Sequence, residues 1–195
     1  MQNKPYDKNK IGKFIGWGGE HFVFEYGDDK VIKFSLHIWL SGKSAVDKKI
    51  KDYEIGRSYF NEYLLSEEIL TWSKGKQAVE IQTKIDCRFL TKKDLIDNEI
   101  KKQFVDIMSR YETMEKTTSF VFDLFGREGL FTINPDFVSN ILITSNKKLV
   151  LIDFTILNLT KIKIREIPIW LLIEWAKKRQ EKLLCNFTKQ VSDDK

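Results

Sequence analysis

The sequence predicts an α+β chain in two lobes, with a β-rich front and a mostly helical back. Three observations carry that expectation. Short Ile-, Val- and Phe-rich segments broken by turn residues fill the front of the chain. From about Lys92 the apolar positions recur instead at steps of three and four. The change of texture falls near Asp86–Leu90, so the expected lobes are residues 1–86 and 87–195.

Each element has its own reason. Residues 11–16, 21–26 and 30–36 read as strands, and "YGDDK" supplies a tight turn between the second and third. Residues 45–64 lack Pro and space Ile50, Tyr53 and Ile55 among charges, a helix interrupted or ended near Gly56. "SEEILTW" and "AVEIQTKI" flank "SKGKQ" as a further hairpin. In its second arm Val79 and Ile81 alternate with Glu80 and Gln82, as in a half-buried strand. Ile96, Ile100, Phe104, Ile107, Tyr111 and Met114 mark a helix from about Lys92 to Lys116. "VSNILITSNKKLVLIDFTI" is a second hairpin turning at "SNKK", and "PIWLLIEWAKKRQEKLL" is an amphipathic helix opened by Pro168.

Composition narrows the classes. The chain has 195 residues, 42% hydrophobic and 31% charged, enough to bury a core. No apolar run approaches the roughly 20 residues of a membrane span, and "MQNKPYDKNK" lacks a signal-peptide core. Cys87 and Cys185 stand apart with no CxxC pairing, which argues for a reducing, cytoplasmic setting and against a zinc site. His21 and His37 are the only histidines, too few for a multi-histidine metal centre. The net charge is +5, but lysines and acids interleave almost everywhere. Such scatter argues against a nucleic-acid footprint, which needs clustering on one face. It suits an anionic ligand.

The stretch "IGKFIGWGGEHFVFEYGDDKVIKFS" places Gly16, Gly18 and Gly19 before a strand that carries Lys33. Glycines there are either turn chemistry or a means for backbone N–H groups to approach a phosphate. Period-two alternation puts Val31 and Lys33 on one sheet face, where a lysine is costly unless an anion neutralises it. Further on, "LVLIDF" is an apolar strand ending on Asp153, a carboxylate that needs a cation or donors if buried. Asn140 precedes it across the hairpin, so the pair offers oxygen ligands only.

These residues resemble the protein-kinase-like superfamily. Gly16-Trp17-Gly18-Gly19-Glu20-His21-Phe22-Val23 followed by Val31-Ile32-Lys33 is similar to a glycine-rich loop and its strand-borne lysine. His21 stands where the third glycine is expected. Asn140 and Asp153-Phe154 match the metal-binding Asn and Asp-Phe in order and setting. The resemblance implies a bilobal kinase-like fold with ATP and Mg²⁺ in an interlobe cleft. It makes Lys33 the phosphate lysine, with Glu54 as its helical partner and Glu62 in reserve. "FDLFG" at residues 122–126 precedes Asn140, so Asp123 reads as a capping or surface residue instead of a ligand.

Two departures bear on activity. The family's base Asp lies five positions before the Asn; that position here is Pro135, and Asp136 follows it. Asp136 reads equally as a catalytic base in a shortened loop or as a turn residue after proline. Phe154 is followed by Thr155, not Gly, and the short remainder carries no A-P-E element. That argues against ordinary peptide phosphorylation. The implied function is a minimal, atypical kinase-like protein that transfers the γ-phosphate of Mg·ATP to a small molecule or unusual protein acceptor. In that reading Asp136 and Asp153 are catalytic, Gly16, Gly18, Gly19, Lys33 and Glu54 bind nucleotide, and Asn140 and Asp153 hold metal. The alternative is a pseudokinase serving as a nucleotide-sensing or protein-binding module. An electrostatic binder of nucleic acid or acidic partners, resting on the +5 charge and the basic "AKKRQEK" helix, is a third class.

Overall fold

The structure is a computed structural model describing residues 4–17, 21–125, 136–154, 156–158 and 167–193. The α+β class holds. The chain forms two compact units, one of residues 1–55 and 65–85, the other of residues 56–64 and 86–195.

The first unit is an antiparallel sheet of β1 (Ile11–Trp17), β2 (His21–Tyr26), β3 (Lys30–Ser35), β4 (Glu67–Trp72) and β5 (Gln77–Thr83), in the order β1-β2-β3-β5-β4. Turn chemistry fixes both hairpins: Gly27 adopts φ 66° between β2 and β3, and Ser73, Lys74 and Gly75 all take positive φ between β4 and β5. Alternation then sorts the faces. Ile32, Val79 and Ile81 pack with Tyr6 on one side. Ala78 joins Ile38, Ala45 and Val46 in a second cluster beneath the helices.

The third strand stops one residue earlier than its composition suggests. Ser35 Oγ accepts from Ile38 N at 3.3 Å and starts α1 (Leu36–Ser41), a helix the apolar run had concealed. Gly42, at φ 61°, breaks it before α2 (Lys43–Phe60), which runs through Gly56 without interruption. Residues Ala45, Lys49, Asp52, Gly56 and Phe60 recur at steps of three and four and set the inward phase of α2, with Ala45, Asp52 and Phe60 buried.

In the second unit, α3 (Asn98–Thr118) buries Ile100, Phe104, Ile107, Tyr111 and Met114, the stripe its periodicity predicts. Ile96 is exposed instead, because Lys92–Ile96 forms a separate 3-10 turn that ends before Asp97 caps α3. Around α3 lie β6 (Cys87–Thr91), β7 (Phe120–Phe122), β8 (Phe137–Thr144), β9 (Leu149–Leu151) and β10 (Ile156–Asn158), in a β6-β8-β9 sheet and a β10-β7 pair. Strands β6, β7 and β10 were not expected. They are short, and long-range partners define them. Helix α4 (Ile167–Asp193) packs Phe187 against Phe104 and Phe125, while Gln180 serves Leu124 N, Tyr111 OH and Phe122 O. Arg110 on α3 binds Tyr59 O, Asp106 and Glu62, tying residues 56–64 into this unit.

Candidate functional site

Lys33 sits on β3 with only 7% of its surface exposed, opposite Glu80 in the β3–β5 ladder. Around it lies a buried polar network. Glu80 Oε1 is 3.2 Å from His21 Nε2, and its Oε2 pairs with Lys49 Nζ at 3.2 Å without hydrogen-bond alignment. Lys49 also reaches Glu67 at 3.8 Å, and Gln82 donates to Glu67 at 3.0 Å.

The two acids are pushed apart. Burial, and then the Glu80 charge and hydrogen bond, raise the Glu67 carboxyl far above the usual range, against the pull of Lys49 and Lys33. Burial raises Glu80 too, but Lys49, His21 and the hydrogen bond with Glu67 outweigh it and hold it well below that range. His21, where the third glycine was expected, fills part of this network with its ring.

Glu54 is exposed on α2, off the inward stripe, and Glu62 pairs with Arg110 in the second unit. The buried acid of α2 is Asp52, which pairs with Lys48 and stands one turn from Lys49. The small residues Ala45 and Gly56 carried the signal: they mark which side of α2 packs closely, and Lys49 and Asp52 share their spacing. Gly16 lies in β1 opposite Val23, and a Cβ there would meet nothing within 4 Å. Gly18 and Gly19 lie outside the described residues.

In the second unit, β8 and β9 build the other candidate cluster. β6 pairs Leu90 with Val138 and then Phe89 with Leu142, so Ser139, Asn140 and Ile141 leave that ladder together. The segment after β7 takes up the first two, while Ile141 pairs with Leu151 of β9. Asn140 N donates to Leu124 O at 3.1 Å, Asn140 Nδ2 to Asp123 O at 2.6 Å, and Ser139 Oγ to Phe125 O. Asp123 also accepts from Phe125 N at 3.2 Å, a turn-capping role. Across the hairpin Ile152 N donates to Asn140 O at 3.1 Å, and Asp153 follows in the left-handed region at φ 50°. Phe154 beside it is buried and stacks on Phe122 with centroids 4.5 Å apart.

With its NH₂ group on Asp123, Asn140 keeps Oδ1 as an acceptor, and Asp153 adds carboxylate oxygens. Such a donor set fits a hard, oxygen-seeking cation. Asp136 is exposed, and its carbonyl accepts from Lys92 N at 3.1 Å.

The chain is similar to a solved structure of the Legionella pneumophila Lpg2603 kinase bound to IP6, with a TM-score of 0.55 and 13% identity over 90% of this chain. The chain has a protein-kinase-like fold. It spans 58% of the length of that kinase. Fainter likenesses reach aminoglycoside 2'-phosphotransferase-IIIa in its GDP complex (TM-score 0.38, 15% identity, 56% of this chain and 40% of that one) and PpkA in its apo form (0.37, 16%, 79% and 61%). No protein-family model and no curated protein matches the sequence significantly. Within the chain, β3 carries Lys33, β8 carries Asn140, and Asp153 and Phe154 follow β9.

Proposed function

We propose that this kinase-like chain binds Mg·ATP and transfers its γ-phosphate to a small molecule or an unusual protein acceptor. The observation that carries this reading is the β8–β9 hairpin, whose first strand bulges out of the β6 ladder. Asp123 O holds the side-chain amide of Asn140 there, and Asp153 takes a left-handed conformation that costs a non-glycine residue free energy. In this reading Asn140 and Asp153 hold Mg²⁺, which supplies neutralising charge to the phosphates. Lys33 adds a second positive charge, and the segment at Gly16, Gly18 and Gly19 covers the nucleotide. Glu80, opposite Lys33 in the β3–β5 ladder, is the buried carboxylate beside that lysine, and Asp52 is the buried acid of α2. Asp136 accepts the acceptor's hydroxyl proton. Such transfer rests on positioning and charge neutralisation more than on covalent chemistry.

One observation favours the pseudokinase alternative: Asp136 lies four residues before Asn140, one short of the family spacing. Thermal unfolding with and without Mg·ATP tests the binding step. At 100 times the dissociation constant the ligand should add about 2.7 kcal/mol, and Lys33→Ala should abolish that gain. Single-turnover transfer from labelled ATP then separates enzyme from pseudokinase. If neither Mg²⁺ nor ATP stabilises the protein, the nucleotide reading fails.

A further inference from the structure

The first unit holds a cavity of about 380 Å³ outside the polar network, walled by Tyr6, Phe22, Phe34, Trp39 and Trp72, with Lys4 at its edge. Its walls are rigid where they meet: Tyr6 packs edge-on against Phe34 at 5.8 Å and Trp72 at 5.7 Å. Its rim is not covered. Trp39 is 68% exposed, and Leu36 and Phe22 beside it are exposed as well. Trp17, 65% exposed, stacks on Phe22 at 6.0 Å and carries the apolar surface beyond the cavity. An uncovered aromatic surface of this extent marks an interaction site more often than chance exposure.

The charges described at its edge are lysines. Lys4 donates to Tyr6 OH at 3.1 Å and lies over its ring at 5.5 Å. The turn joining the two lining residues Trp72 and Gln77 carries Lys74 and Lys76, both exposed. Exposed Lys43 follows Gly42, whose Cβ position lies 3.8 Å from Lys76 O. Among the described residues no acid lines the cavity. A small aromatic acid would satisfy the cavity and Lys4 but leave Trp17 and the outer lysines unused. A peptide engages both.

We propose that this groove docks an acidic peptide segment with an aromatic anchor, the ring entering between Trp39 and Trp72 and the flanking carboxylates meeting Lys4, Lys74 and Lys76. Aromatic anchors in desolvated pockets dominate such interfaces, while rim charges chiefly set salt dependence and approach rate.

Fluorescence polarisation tests it with a labelled dodecapeptide carrying one Trp between two Asp-Glu pairs. The wild-type chain should bind, and Trp39→Ala should weaken binding at least tenfold. Lys4→Glu should weaken it about fivefold at low salt and much less at 1 M salt, where exposed charges are screened. Both residues are exposed, so neither variant should alter the unfolding temperature; Lys4→Glu keeps the test decisive if Trp39→Ala misfolds. The proposal is overturned if the wild type does not bind, if both variants bind as tightly, or if a peptide with Lys-Arg pairs binds equally. Equal competition by indole-3-propionate would reassign the groove to small aromatic acids. Self-association abolished by Trp39→Ala would reassign it to a second copy of the chain.

Discussion

Phe154 presses on Gly56: a Cβ added at Gly56 would stand 2.9 Å from its Cδ1 and 3.0 Å from its Cε1. The ring has little room to retreat, because it packs on Phe122 at 4.5 Å and on Phe60 at 5.7 Å. Gly56 is therefore a packing glycine in mid-helix. Gly56→Ala should destabilise the chain by about 1–2 kcal/mol through overpacking, although alanine gains nearly 1 kcal/mol in helix propensity. Urea unfolding measures the sign. A more stable variant would show that the ring moves freely. Because Asp153 precedes Phe154, the same variant should also weaken any Mg²⁺-dependent ATP binding.

The hairpin pair should govern ground-state binding. Asp153→Asn should remove Mg²⁺-dependent stabilisation by ATP and eliminate transfer. Asn140→Leu should do the same, and it should also lose the bond to Asp123 O at a cost of about 1 kcal/mol. Calorimetry with Mg·ATP and unfolding without it separate the two effects.

Asp136 should behave differently. If it accepts the acceptor's proton, Asp136→Asn spares nucleotide affinity and lowers turnover by roughly 10²–10⁴-fold. Wild-type protein that binds Mg·ATP but transfers nothing, with Asp136→Asn unchanged from it, would make the chain a pseudokinase.

The buried acids predict a pH response of the first unit. Glu67 is raised, so its contribution is fully present below the unfolded carboxylate value of 4.5 and declines as pH rises above it. Glu67→Gln keeps a donor toward Glu80 and removes that decline, so stability above neutral pH should hold or improve. Glu80→Gln instead leaves Lys49 and His21 without their carboxylate, and should cost about 3 kcal/mol at pH 7. Unfolding curves across pH distinguish the two variants.

Asp94 gives the opposite sign in the second unit. Arg88 holds it at 2.6 Å through both nitrogens, Thr91 adds two further bonds, and its carboxyl falls from 3.8 to about 2. A depressed value stabilises the fold above about pH 4 and is lost as pH drops toward 2. Arg88 is largely exposed, so solvent screening reduces the effect. Asp94→Asn should cost about 1 kcal/mol at pH 7 and flatten acid unfolding between pH 4 and 2.

Several features were legible in the sequence because they are local. The α3 stripe from Ile100 to Met114 is written in its own spacing, and the two front hairpins in the residues that tolerate positive φ. The order of Lys33, Asn140 and Asp153 is covalent, and with it came the kinase-like fold. Other features depend on what meets what. The charged face of α2 gave a weak pattern through Ile50, Tyr53 and Ile55, which are all only half-buried. Its phase was set by close packing at Ala45, Gly56 and Phe60, and this buried Asp52 and turned Glu54 outward. The departure of Asn140 from the β6 ladder likewise depends on Asp123 and Leu124 more than a dozen residues earlier, and β7 and β10 exist only as each other's partners. A helix carries its period along the chain. A ladder partner or a packing phase is a relation between distant segments, and only the folded chain brings them together.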